Sequence, residues 1–241
     1  MTGVLYGTGL GPGHPDLMSV RADRLVRGAR HVAFFRKAGR AGRARKIVEG
    51  MLSAEAIEFP MEYPVTTEIP LTDPRYNEML SAFYEDVAGR LRALVEGGED
   101  VVVLCEGDPF FYGSFMHLYT RLSGVIPVEV VPAITGMSAA WTASGAPITW
   151  GDDILSTVMG TLDEATLTKA MAEADALVVM KIGRNLAKVR RALDASGKAD
   201  RAVLVQFAAM EGQSITPLCE FDGATLPYFS IILVHGQGRR P

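Results

Sequence analysis

One stretch constrains the rest of the chain: residues 101–113, which read VVVLCEGDPFFYG. Val101 to Cys105 is an unbroken apolar run between turn-forming segments, the pattern of a central strand buried on both faces of a parallel sheet. The run stops at Glu106-Gly107-Asp108-Pro109, where glycine permits left-handed backbone and proline cannot extend a ladder. Gly113 then opens a segment with Phe115, Leu118, Tyr119 and Leu122 at helical spacing. In open α/β sheets ligands bind beyond the carboxyl end of such a strand, which makes this loop the leading candidate site. Phosphate cradles present bare glycines and often a lysine. Here Glu106 and Asp108 flank the only glycine of the turn, which disfavours phosphate and suits a cationic or polar ligand. The alternative is that Asp108-Pro109 simply caps the following helix.

Taken from the start, residues 3–8 read as a first strand. It runs into a loop of alternating glycines, Gly7, Gly9, Gly11 and Gly13, interrupted by Pro12 and Pro15. Asp16 is the expected N-cap of a helix carrying Leu17, Val20, Leu25 and Val26 and ending near Gly28, followed by a strand at 32–35. Strand, loop, helix, strand at this spacing is a βαβ unit, so this sheet is expected to be largely parallel. Residues 36–46 hold Arg36, Lys37, Arg40, Arg43, Arg45 and Lys46 without an acid, and 57–70 reads as extended and proline-broken. Asp73-Pro74 has N-cap and N1 chemistry for a long helix through Met79, Phe83, Val87, Leu91, Leu94 and Val95 to Gly97-Gly98. After the central strand and its helix come a strand at 127–131, a turn around Pro132-Ala133-Ile134-Thr135-Gly136 and a segment of small residues. Further strands are expected at 154–159, 176–182 and 202–207, with helices capped by Asp163 and centred on Leu186, Val189 and Leu193. Two closing strands, at 214–221 and 228–234, are expected to be antiparallel. The reading is two α/β domains, 1–125 and 126–241.

Composition and missing motifs narrow the chemistry. With 241 residues, 48% hydrophobic and 22% charged, the chain reads as a globular protein of one or two domains. A net charge of -4 gives no basic footprint for nucleic acid. Cys105 and Cys219 form no CxxC and read as reduced core thiols of a cytoplasmic protein. The N-terminus lacks the basic region of a signal peptide, and no apolar run approaches the roughly 18 residues of a membrane span. A dinucleotide fingerprint fails: the third glycine of GxGxxG falls on Pro12 or on His14, and Arg36 follows the second strand instead of an acid. Gly197-Lys198 lacks the rest of a P-loop, no GxSxG exists, and His14, His31, His117 and His235 show no metal-ligand spacing. What remains is chemistry in which the cofactor carries the reactivity, such as methyl transfer from a sulfonium. Alignment of donor and acceptor in a dry pocket supplies much of that barrier reduction, about 7–11 kcal/mol for well-oriented pairs.

GTGLGPGHPDLM near the N-terminus, CEGDPFFYGSF in the middle and VPAITGMSAA after it resemble the tetrapyrrole methylases, in order and spacing over essentially the whole chain. The resemblance implies S-adenosyl-L-methionine as cofactor, folded into a trough between two α/β domains, usually in a homodimer. Within the family, FPMEYP, MKIGRN and PYFSIILV look like the branch that methylates the meso carbon C20 of precorrin-2 to give precorrin-3A in cobalamin biosynthesis. The anaerobic counterpart acting on cobalt-factor II and other members, such as uroporphyrinogen III methyltransferase, share the loops. The acidic balance counts against an RNA methylase. Motif by motif, the implied cofactor contacts are Pro12, Gly107, Asp108, Phe111, Thr135 and Gly136, with Met180 and Ala209 from the second domain. Ala133 stands where the family commonly has glycine. Arg36, Arg43, Arg45 and Tyr112 are the expected substrate contacts, because precorrin-2 carries eight carboxylates and Arg forks pair carboxylates bidentately. No side chain stands out as a catalytic base, and no metal is expected; positioning and desolvation carry the reaction.

Overall fold

The structure, a computed structural model, describes residues 2–66, 69 and 73–239. The chain divides into two compact units, Met1–Thr135 and Gly136–Pro241.

The first unit is a parallel sheet of β1 (Leu5–Gly9), β2 (His31–Lys37), β3 (Ile57–Tyr63), β4 (Val101–Cys105) and β5 (Val128–Val131), in the order β3-β2-β4-β1-β5. β4 lies in the middle, with Val101 beside both Leu5 and His31. Its side chains alternate between two cores, which explains the unbroken apolar run. Val101, Val103 and Cys105 pack against α3 (Pro74–Glu96) and α4 (Phe115–Leu122) through Leu91, Val95, Phe115 and Leu118. Val102 and Leu104 pack with Val26 of α1 (Val20–Gly28), Ala44 of α2 (Arg43–Ile47) and Phe34. Gly7 is required by this packing: a Cβ there would lie 2.2 Å from the Phe115 ring. As expected, Asp73 caps α3, accepting from the Arg75 N–H at 3.0 Å, with Pro74 at the first helical position. The cap of α1 differs from expectation. The backbone is still extended at Met18, so the helix begins after it, and Ser19 accepts from the Ala22 N–H at 3.1 Å. Asp16 instead sits in a short 3₁₀ turn, and Val20 is exposed. Of the extended run expected over 57–70, β3 covers the first part; Thr67, Glu68 and Pro70 lie outside the described residues.

The domain boundary expected between residues 125 and 126 moves to Thr135. β5 pairs with β1 (Leu5 beside Val128), so the segment after 125 completes the first sheet.

The second unit opens with α5 (Gly136–Ala143) and builds a mixed sheet of β6 (Leu155–Met159), β7 (Ala176–Met180), β8 (Ala202–Gln206), β9 (Ser214–Pro217) and β10 (Ser230–Val234), in the order β6-β7-β10-β8-β9. β6 and β7 are parallel; β10 runs antiparallel between β7 and β8, and β9 antiparallel to β8. α6 (Glu164–Glu173) and α7 (Leu186–Ala195) bury Leu167, Met171, Val189 and Leu193 against one face, and Ala140 of α5 belongs to the core on the other. Asp163 caps α6 as expected, accepting from the Thr166 N–H at 2.9 Å. β9 is shorter than expected: Pro217 cannot continue the ladder, and a 3₁₀ turn buries Leu218 there. No described helix is long and apolar enough to cross a membrane.

Candidate functional site

All strands of the first sheet are parallel, so their carboxyl ends share one edge. There the loops after β1, β4 and β5 are knitted together. Leu10 N–H donates to the Cys105 carbonyl at 2.9 Å and Gly107 N–H to the Gly11 carbonyl at 2.8 Å. A Cβ on Gly9 would lie 2.6 Å from the Ala133 Cβ and 2.9 Å from both the Gly107 carbonyl oxygen and Pro109 Cδ. The three loops meet at that bare glycine, and the same bareness accommodates alanine at 133.

Asp108 fastens this arrangement. One carboxylate oxygen accepts from the Phe110 N–H and the other from the Ala133 N–H, each at 2.9 Å. The carboxylate therefore does not cap α4. The N-cap of that helix is Ser114, which makes no side-chain cap hydrogen bond; its Oγ instead pairs with the Tyr63 hydroxyl. Gly107 has φ +70°, and nothing lies within 4 Å of where its Cβ would be, so bare backbone faces open space. That bare backbone leaves room for a ligand to approach the Gly107 main chain closely. Pro12 is buried in the glycine loop, while the Phe111 and Tyr112 rings meet edge-on at 4.8 Å, Tyr112 being largely exposed.

The arginines are distributed unevenly. Arg36, near the carboxyl end of β2, donates to Glu62 at 2.9 Å through Nε and at 2.6 Å through a terminal nitrogen. Arg45 reaches Glu58 at 2.8 Å, near the amino end of β3, and is thereby turned away from the loops. Arg43 stands at the start of α2 and acts electrostatically on Glu106. Burial pushes the Glu106 carboxyl up to about 7, against a smaller opposing pull from Arg43. Burial also pushes the Cys105 thiol far above its usual range, which makes it a core group rather than a nucleophile, whereas Cys219, expected in the core, is exposed in the 3₁₀ turn after Pro217.

In the second unit, β6, β7 and β8 point the same way, so Met180 and the loop holding Ala209 lie at one edge of that sheet. Gly160 N–H donates to the Met180 carbonyl at 2.7 Å. This edge concentrates backbone strain: Lys181, Phe207 and Ala209 have φ of 51°, 51° and 57°, and Tyr112 in the first unit has 53°. Those are the only non-glycine residues with positive φ among the described residues, and all follow carboxyl ends of strands. Such strain clusters at ligand sites. Sequence reading picks out Met180 and Ala209 by resemblance but misses Lys181, Phe207 and the Tyr63–Ser114 pair, because ordinary residue types carry no signal of an unusual φ or a diverted hydroxyl. Thr135 closes the first unit and Gly136 opens α5, its Cβ position 3.9 Å from Ile231. Among the described residues no group of three or more His, Cys, Asp or Glu is placed to hold a metal ion.

Residues 4–221 match the family of tetrapyrrole (corrin/porphyrin) methylases. The chain belongs to that family. It is 47% identical over 239 residues to precorrin-2 C(20)-methyltransferase of a Sinorhizobium species, covering 99% of this chain and 98% of the relative. It is 30% identical to cobalt-precorrin-2 C(20)-methyltransferase of Salmonella typhimurium, covering 98% of both. Among solved structures it resembles uroporphyrin-III C-methyltransferase of Thermus thermophilus complexed with S-adenosyl homocysteine, at TM-score 0.67 and 21% identity, covering 97% of this chain and 92% of that one. As a methylase of this family, the chain presents glycine-shaped loops and strained strand ends where the fold class places ligands.

Proposed function

We propose that this protein is an S-adenosyl-L-methionine-dependent methyltransferase that methylates C20 of precorrin-2 to give precorrin-3A in cobalamin biosynthesis. The observation that carries the reading is full-length identity with the Sinorhizobium enzyme, well above that with the cobalt-precorrin-2 enzyme. That difference favours the metal-free substrate over the cobalt form.

The cofactor supplies a methyl group bonded to a positively charged sulfur. Pro12, the bare Gly107 backbone, Asp108, Phe111, Thr135 and Gly136 are assigned to hold it, with Met180 and Ala209 from the second unit. Asp108 keeps the loops after β4 and β5 in register, so the cradle is preorganised rather than assembled on binding. Arg36, Arg43, Arg45 and the exposed Tyr112 ring are assigned to the polycarboxylate substrate, which Arg36 and Arg45 would meet from their pairs with Glu62 and Glu58. The reading includes a cytoplasmic location, which cell fractionation tests, and a homodimer, which light scattering of the purified protein tests.

Anaerobic incubation with S-adenosyl-L-methionine and, in parallel, precorrin-2 or cobalt-factor II decides the reaction. One added methyl by mass spectrometry, located at C20 by NMR with a labelled methyl and formed on the metal-free substrate, is expected. Methylation of the cobalt form alone would move the enzyme to the anaerobic route, and methylation of neither would overturn the substrate.

A further inference from the structure

We propose that Glu106 is the base that accepts the proton displaced when the substrate carbon is methylated. This rests on the reaction assigned above. A meso carbon carries one hydrogen, so its replacement by methyl has two parts. In the first, a π electron pair of the macrocycle forms the new C–C bond while the S–C bond breaks and leaves its pair on sulfur. In the second, the C–H bond breaks, its electron pair returns to the π system, and a proton departs. Something at the site must take that proton.

The carboxylates around the carboxyl-terminal edge of the first sheet are not equivalent. Asp108 is saturated by two backbone N–H groups. Glu62 and, farther down β3, Glu58 are committed to Arg36 and Arg45. Glu106 makes no hydrogen bond or ion pair among the described residues, although it is only half-exposed at most and adjoins the bare backbone of Gly107. The alternation of β4 places it on the face of Val102 and Leu104, where α2 packs. From α2, Arg43 is the charged group that acts on it, Arg45 being turned to Glu58; Cys105 and Asp108 flank it on its own segment.

A carboxyl with no protein partner at a ligand-binding edge is free to take up and release a proton, and partial burial sets its titration where a base is most effective. With its pKa at about 7, Glu106 is ionised in a large fraction of molecules near neutral pH, yet basic enough to hold a proton once it has one. Arg43 favours return to the carboxylate after each turnover.

Glu106→Gln and Glu106→Asp test this. The glutamine variant is expected to lose far less in S-adenosyl-L-methionine Kd, by calorimetry, than in kcat, which falls about 10²–10⁴-fold, the range for loss of a general base. The aspartate variant keeps a measurable part of that rate. The acid limb of the kcat profile near pH 7 is present in wild type and absent from the glutamine variant. Substrate deuterated at C20 gives a larger isotope effect with the variant, because proton removal has become the slow step. A readout independent of turnover comes from stability. A carboxyl whose folded pKa lies above its unfolded value contributes stability that is complete below about pH 4 and lost as pH rises through 7. Glu106→Gln should therefore match wild type below pH 4 and exceed it at pH 8. A glutamine variant with wild-type kcat and pH profile overturns the proposal while leaving the reaction intact. Wild type that methylates neither substrate overturns the reaction and this base with it, even if the stability difference is seen.

Discussion

The two units turn their chains at the carboxyl ends of strands by different means. The first uses glycine: Gly11 and Gly107 adopt left-handed backbone at φ +79° and +70°, Gly7 and Gly9 leave room for neighbours, and among its described residues only Tyr112 is a strained side-chain-bearing residue. The second has glycines close by, Gly183 and Gly212, yet places Lys181, Phe207 and Ala209 in the left-handed region. Each of these costs about 1–2 kcal/mol relative to ordinary backbone. They persist because surrounding structure holds them: Phe207 N–H donates to the Phe229 carbonyl at 2.8 Å, and Ala209 N–H to Gln213 Oε1 at 2.8 Å. A glycine turn is built from local freedom; a strained turn is imposed by the fold around it.

The largest effect should come from cutting the single tie that fastens the glycine-built loops. Asp108→Ala leaves the Phe110 and Ala133 N–H groups without their carboxylate and is expected to weaken S-adenosyl-L-methionine binding by about 1.5–3 kcal/mol, or about 10- to 100-fold, by calorimetry. An unchanged Kd would mean that the loops hold their shape without it. A smaller effect, with opposite signs in the two units, follows from exchanging glycine and side chain. Gly107→Ala meets no atom within 4 Å and should cost about 1 kcal/mol through φ alone, whereas Ala209→Gly should stabilise by about as much. Thermal unfolding of both variants checks this, and a destabilised Ala209→Gly would show that position to be unstrained. The smallest effect concerns acid. The hydrogen bonds from Thr166 hold the Asp163 carboxyl below the usual range, so its contribution is present above the unfolded pKa of about 4 and lost as pH falls through the folded value. Asp163→Asn, still a good cap, should leave stability at neutral pH nearly unchanged and flatten its decline in acid, the opposite slope to that set by Glu106 in the first unit.

The same contrast governs what could be read beforehand. Val101–Cys105, the glycine loop and Asp73-Pro74 are local signals, and the first sheet follows them closely. The cap at Ser19 was missed because Asp16 carries equal cap chemistry, and only the extended backbone at Met18 decides between them. The boundary was misplaced because strand pairing, not composition, assigns β5 to the first sheet. Charge counting found the basic segment but could not see Arg36 and Arg45 committed to Glu62 and Glu58, since those pairs depend on register. Glu106 was legible as an acid in the loop; its want of a partner was not.

The central position of β10 has a consequence in time. The first sheet can close once residue 131 has emerged from the ribosome, since β4 and β5 then find β1 and β2 already exposed. The second sheet is different. β7 and β8 are separated until β10, at residues 230–234, inserts between them, so β6, β7, β8 and β9 wait as two unjoined halves with their inner edges unpaired. During synthesis the first unit is therefore folded while the second is still an assembly of open edges, and a stall between β9 and β10 would expose just the strands most prone to pair with a neighbouring chain.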